Sequence, residues 1–203
     1  MTMKIAAFFQ THKTRFVLLA VLSIFTAGCI PVALVAGGAT VGGAVVYDKR
    51  STKTIAQDRD TASRALRTLY DDPELREQTH ITVATFNQIV LMAGQALTAE
   101  LRDRAYQLVA STSPRAKRIY NEITVEPPIS KTAAANDTWL TTKIKTAMLA
   151  EKGLSSSQIK VVTENKSVYL MGLVTRKQAD LAAEVASQVS GVERVVKIFE
   201  YEQ

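Results

Sequence analysis

The sequence predicts an α+β protein made of two tandem copies of one module. Each copy reads α-β-β-α-β, with two helices packed on a three-stranded mixed sheet. Three observations predict this. First, the chain matches itself at an offset of 78 residues, Ile81–Gly94 running against Ile159–Gly172, with Thr85 on Thr163, Asn87 on Asn165, Val90 on Val168 and Gly94 on Gly172. Second, each match holds two β-branched runs joined at an asparagine, the pattern of a tight hairpin. Third, amphipathic segments of helical period stand before and after each hairpin.

Residues 1–28 contain Lys4, Lys13 and Arg15 and no acidic residue, followed by the apolar run Phe16–Phe25 and then Thr26-Ala-Gly-Cys29. A basic head, a short apolar segment and small residues make a secretory signal sequence over 1–28. Ala27-Gly28-Cys29 resembles the bacterial lipobox, which places lipidation on Cys29 as the first residue of the mature chain. Ile30, rather than an aspartate, follows it. The same resemblance then implies transfer to the outer membrane, with the protein facing the periplasm. The other reading of this single cysteine is a buried free thiol. Acyl chains anchor strongly because each buried methylene contributes about 0.8 kcal/mol. Loss of three of the 25 basic residues leaves 22 against 19 acidic, a net charge of +3, so charge gives a nucleic-acid partner no support.

Residues 29–57 read as the acylated cysteine and a tether. Its Ile30–Tyr47 stretch is uncharged and rich in glycine and alanine, with four glycines and a proline that weaken an isolated helix. A tether lying at the lipid surface is the favoured reading, and a spanning helix the alternative. The first module is expected over 58–125. It contains a helix at 58–71 with Pro73 at its exit, strands at 80–86 and 89–95, a helix at 98–111 and a strand at 117–125. Residues 126–135, opened by Pro127 and Pro128, read as a linker. The second module, 136–203, repeats the order with a helix at 137–151, strands at 159–164 and 167–173, a helix at 176–189 and a strand at 192–201. Asn136 or Asp137 is the expected cap of its first helix, and Gly153 the expected terminator. The offset places Leu66 on Ile144, Tyr70 on Met148 and Thr61 on Trp139. Modules this small are near the lower limit for burying a core alone, so the two are expected to lean on each other.

Val168-Tyr-Leu-Met-Gly172 closing one strand and Ser190-Gly-Val-Glu-Arg-Val195 opening the next resemble the BON domain. The whole arrangement, with Asn136-Asp-Thr-Trp139 opening the second copy, is similar to outer-membrane lipoproteins with two BON domains. Gln88 and Lys166 stand where that family carries a hairpin glycine, which weakens the assignment of a type I′ turn. Ser111-Thr-Ser-Pro114 replaces the glycine before the third strand, marking the first copy as the more drifted.

Catalysis finds no support. The mature chain has one histidine, His80, so neither a Ser/His/Asp set nor a histidine pair for a metal can be assembled, and no cofactor motif is present. Trp139, the single tryptophan, lies a quarter-turn from the apolar stripe Leu140, Ile144, Ala147 and Met148, beside Lys143. It either packs between the two modules or enters a lipid headgroup layer, where an amphipathic ring is favoured. The family resemblance implies the second. It assigns anionic phospholipid (phosphatidylglycerol, cardiolipin) to Trp139, Leu140, Lys143, Lys145 and Leu149, with enrichment at the division site. The rival is an adaptor docking on the outer-membrane β-barrel assembly machinery through Trp139.

Overall fold

A computed structural model describes residues 40–41, 44–45 and 48–202. The signal sequence, Cys29 and most of the tether lie outside the described residues. Within the tether, β1 (Thr40–Val41) pairs antiparallel with β2 (Ala44–Val45), so these four residues are extended rather than helical. No described helix is long and apolar enough to cross a membrane.

The first module runs α1 (Thr52–Asp71), a short α2 (Pro73–Gln78), β3 (Thr79–Phe86), β4 (Ile89–Ala96), α3 (Ala99–Thr112) and β5 (Arg118–Val125). The second runs α4 (Lys131–Ala150), a 3₁₀ turn at Ser156–Gln158, β6 (Ile159–Glu164), β7 (Ser167–Val174), α5 (Arg176–Ser187) and β8 (Arg194–Tyr201). In each sheet the middle strand pairs antiparallel with the strand before it and parallel with the last, as β3-β4-β5 and β6-β7-β8. The expected α-β-β-α-β order and mixed sheets are therefore present. The short α2 is an addition, nucleated by Pro73 at its first position and by Asp72, whose side chain accepts from Glu74 N and Leu75 N.

Both leading helices start earlier than the sequence suggested. Ser130, not Asn136 or Asp137, caps α4, accepting from Ala133 N at 3.2 Å, and Ser51 caps α1 in the same way. The helix therefore takes up residues 131–135 of the expected linker, because Ala133, Ala134 and Ala135 are strong helix formers and no proline follows Pro128. The helical register also differs. The two 20-residue helices superpose at an offset of 79, Thr52 on Lys131, Ala65 on Ile144 and Leu69 on Met148, whereas the strands keep 78. Trp139 thus corresponds to Asp60 and not to Thr61. The helix–strand connection absorbs the extra residue.

Asp137 has a different task. It is buried in the middle of α4, and its carboxylate accepts from Asn165 N at 2.7 Å and Lys166 N at 3.0 Å, the two turn residues of the β6–β7 hairpin. Asp58 does the same for Asn87 N and Gln88 N at 2.6 and 2.8 Å. All four turn residues have positive φ, between 44° and 68°, the sign that type I′ requires at both central positions. The tight turns are formed without the family's glycine, because a buried carboxylate binding both N–H groups offsets the left-handed strain of Gln88 and Lys166. Lys166→Gly is accordingly expected to raise the stability of the second module by about 1 kcal/mol, read as a shift in the urea midpoint at unchanged slope.

Each module has a core between its helices and one sheet face. In the second, Leu140, Ile144 and Met148 of α4 meet Val161, Val168, Leu170 and Val174 and the alanines of α5. In the first, Ala65 and Leu69 of α1 meet Val83, Val90 and Met92. A third core joins the modules. The opposite faces of the two sheets pack on each other through Ala84, Phe86, Ile89, Leu91, Ala93, Tyr169, Met171 and Ile198. The modules thus lean together sheet to sheet, as layers of helices, sheet, sheet and helices. This explains why β4 (Ile89-Val-Leu-Met-Ala-Gly-Gln-Ala96) shows no alternation: both of its faces are covered. Gly94 sits where a β-carbon would lie 1.9 Å from His80 O, so no larger residue fits this strand pair.

Candidate functional site

The proposed site rests on α4, whose inward side is fixed by the second core. Leu140 is 5 % exposed, Ile144 and Met148 less, and Asp137 is spent on the hairpin. Leu140 therefore cannot face a ligand. The family resemblance assigns it to the lipid contact, whereas the structure places it beneath the helix as support. Trp139 is 63 % exposed and Leu149 77 % exposed, so the tryptophan does not pack between the modules. These two apolar side chains share the outward half of the helix, ten residues and about 15 Å apart along its axis.

What lies around them is consistent. Thr138, Thr142 and Thr146 donate their hydroxyls to the helix's own carbonyls of Ala134, Thr138 and Thr142, at 3.0–3.1 Å. Their polar atoms are thereby satisfied at a surface that need not be wet. Asp137 is the only acidic residue in the 20 of α4, and it is buried. The exposed surface of α4 therefore carries no carboxylate, whereas α1, α2, α3 and α5 each expose at least one, such as Asp60, Glu74, Asp103 and Glu184. The lysines flank this strip. Lys145 is exposed on one side. Lys143, on Trp139's side, donates to Ser190 O at 2.7 Å, which holds its ammonium against the turn into β8. Lys131 adds a third cation at the exposed first turn. Sequence reading did not single out the threonine strip or Lys131. The absence of surface carboxylates was the available signal.

Beneath α4, on the side of the first module, a cleft is lined by His80, Thr82, Asp137, Thr141, Lys145 and Glu164. Glu164 is buried and accepts from Thr82 Oγ1 at 3.0 Å, with His80 Nε2 at 3.4 Å and Gln95 Nε2 at 3.5 Å. Burial raises its pKa, the Asp137 charge adds to the rise, and His80, Thr82 and Gln95 oppose it. The folded chain therefore holds this proton more tightly than the unfolded chain does. That stabilisation is full below the ordinary carboxyl pKa and is lost as pH rises through the raised one. Glu164→Gln should thus be more stable than the parent at pH 8, with the gap closing towards pH 4, as followed by thermal unfolding across pH. Among the described residues, no group of three His, Cys, Asp or Glu side chains is placed to hold a metal.

Comparison with known proteins identifies the family. The BON domain family matches residues 57–127 and 136–203. The chain is 34 % identical to the outer membrane lipoprotein DolP of Haemophilus influenzae over 179 residues, 88 % of this chain and 91 % of that protein. It is 38 % identical to the 21 kDa hemolysin of Actinobacillus pleuropneumoniae over 156 residues, 77 % of this chain and 80 % of the relative. Among solved structures, the C-terminal domain of CdsD from the type III secretion system of Chlamydia trachomatis aligns with 72 % of this chain and 67 % of its own, at 12 % identity and a TM-score of 0.28.

Proposed function

The chain belongs to the BON domain family, with two copies in tandem, and from that premise we propose that it is a non-enzymatic, lipid-anchored outer-membrane protein that binds anionic phospholipid through α4. The anchor is acylated Cys29, which keeps α4 close to a bilayer on the periplasmic side. The observation that carries the reading is the surface of α4: an exposed tryptophan and leucine, hydroxyls turned inward, lysines at the rim and no carboxylate. An indole at the headgroup layer places its apolar body among acyl chains and its N–H in the polar zone. Each lysine near an anionic surface contributes roughly 1 kcal/mol, and phosphatidylglycerol and cardiolipin supply that charge. Such binding is weak for a free molecule and effective for a tethered one, since tethering raises local concentration. Support of membrane integrity, with enrichment at the division site, follows if those lipids concentrate there.

The test uses the single tryptophan. The full-length acylated protein is placed in nanodiscs of phosphatidylcholine alone or with phosphatidylglycerol, and Trp139 emission is recorded at low and high salt. A blue shift confined to the anionic discs and reversed by salt is the expected result. Emission that ignores lipid charge, but shifts on adding the outer-membrane assembly machinery, would instead assign Trp139 to protein docking.

A further inference from the structure

A second site lies under α1, away from the exposed face of α4. There a crevice of about 250 Å³ is lined by Asp58, Arg59, Ala62 and Thr85 of the first module, by Arg50 just before it and by Lys160 of the second. Its one carboxylate is saturated. Asp58 accepts from Asn87 N, from Gln88 N and from Arg50 at 2.9 Å, and Arg50 is otherwise consumed by Asp48 and stacks 3.9 Å from the Phe86 ring.

The donors, by contrast, are left over. Lys160 reaches across the module boundary and makes one hydrogen bond, to Thr85 O at 3.2 Å. An ammonium has three protons to place, so two find no protein partner among the described residues. Burial and the Arg50 and Lys145 charges depress the pKa of Lys160, and Asp58, whose oxygens are already taken, opposes them only in part. Thr85 is 3 % exposed and its hydroxyl has no partner. Arg59 forms no ion pair among the described residues.

The internal repeat supplies a control. In the second module, Thr163 stands at the place of Thr85, and its hydroxyl is satisfied by Thr141 at 2.7 Å. Ala62 stands where Thr141 would be, Arg59 where Thr138 would be, and Lys160 answers to Thr82. The fold thus does not require these unmet donors. They converge only in the crevice under α1.

We propose that this crevice is a binding site for a phosphate group, held by Lys160, Arg59 and the Thr85 hydroxyl. A tetrahedral oxyanion offers an acceptor to each of these donors at once, which a single water cannot do. The group is either free phosphate or the phosphodiester of an anionic lipid headgroup, which, unlike that of phosphatidylcholine, carries no ammonium of its own to oppose Lys160 and Arg59. The inference does not depend on the role proposed for α4.

The experiment takes the full-length chain in neutral phosphatidylcholine nanodiscs. Backbone amide shifts at Thr85 and Lys160 are followed during titration with sodium phosphate at constant ionic strength. A parallel series raises the phosphatidylglycerol content of the discs. A saturable shift with inorganic phosphate identifies free phosphate, and one confined to the anionic discs identifies the lipid. Lys160→Met, which keeps the stem and removes the charge, is expected to weaken either response at least ten-fold, and Thr85→Val to weaken it by a smaller factor. Should Lys160→Met fail to fold, Arg59→Gln at the exposed rim replaces it with the same expectation. Absence of a saturable shift in both series, or a shift unchanged in these variants, overturns the proposal. Trp139 emission reports α4 separately, so failure of one site is not failure of the other.

Discussion

Replacing Asp137 with alanine is expected to cost the second module about 3 kcal/mol. Two hydrogen bonds from turn N–H groups to a carboxylate are lost, and charge-assisted bonds of this kind are each worth roughly 1.5–3 kcal/mol, discounted because the turn itself is reached by water. The left-handed Asn165 and Lys166 then keep their strain without compensation. Asp137→Asn retains one acceptor oxygen and should fall between alanine and parent. Urea unfolding of the three proteins gives the order. Combining Asp137→Ala with Lys166→Gly should recover about 1 kcal/mol, since glycine has no left-handed penalty to offset. An alanine variant as stable as the parent would show that the carboxylate does not hold the hairpin.

The second large effect concerns the surface rather than the core. Trp139→Ala should lower affinity for anionic vesicles by about 2 kcal/mol, roughly thirty-fold, because the indole is the larger of the two big apolar side chains that α4 exposes. The three cores lie wholly within residues 48–202, so the chain from Asp48 onward is the material for vesicle cosedimentation. Trp139→Phe should retain much of the affinity, and Lys145→Glu should reduce it with a shallower salt dependence. Leu140→Ala should instead act as a core mutation, lowering stability by 2–5 kcal/mol as buried leucines do. This contrast separates two neighbours that the family resemblance assigns to one lipid contact. If Trp139→Ala binds as the parent does, α4 is not the lipid contact.

The sequence was informative wherever a physical period or a local signal fixed the structure. The alternation of strands, the apolar stripe of α4 and the repeated hairpin are written in residue spacing, so two α-β-β-α-β modules could be read directly. Even the sheet-to-sheet contact left a trace in the apolar run Ile89–Gly94 of β4. The offset between the helices was read one residue short. A helical stripe tolerates a shift by one, since i+3 and i+4 share a face, whereas a strand does not. The matching strands therefore set the alignment, and the helices were carried along with it.

Contacts between side chains and distant backbone leave no such period. Asp137 looks like a capping residue because Asn-Asp before an apolar run usually is one. Its true partners lie 28 and 29 residues away and meet it only after α4 packs on β6. The crevice under α1 combines Lys160 with Arg59 and Thr85 across two modules, which no local window contains. The sequence by itself determined the modules, their order and the amphipathic helix with its tryptophan. Only the tertiary structure decided that Trp139 faces outward while Leu140 is buried. Exposure belongs to the packing of α4 on its own sheet and on α5, and not to either residue's own chemistry.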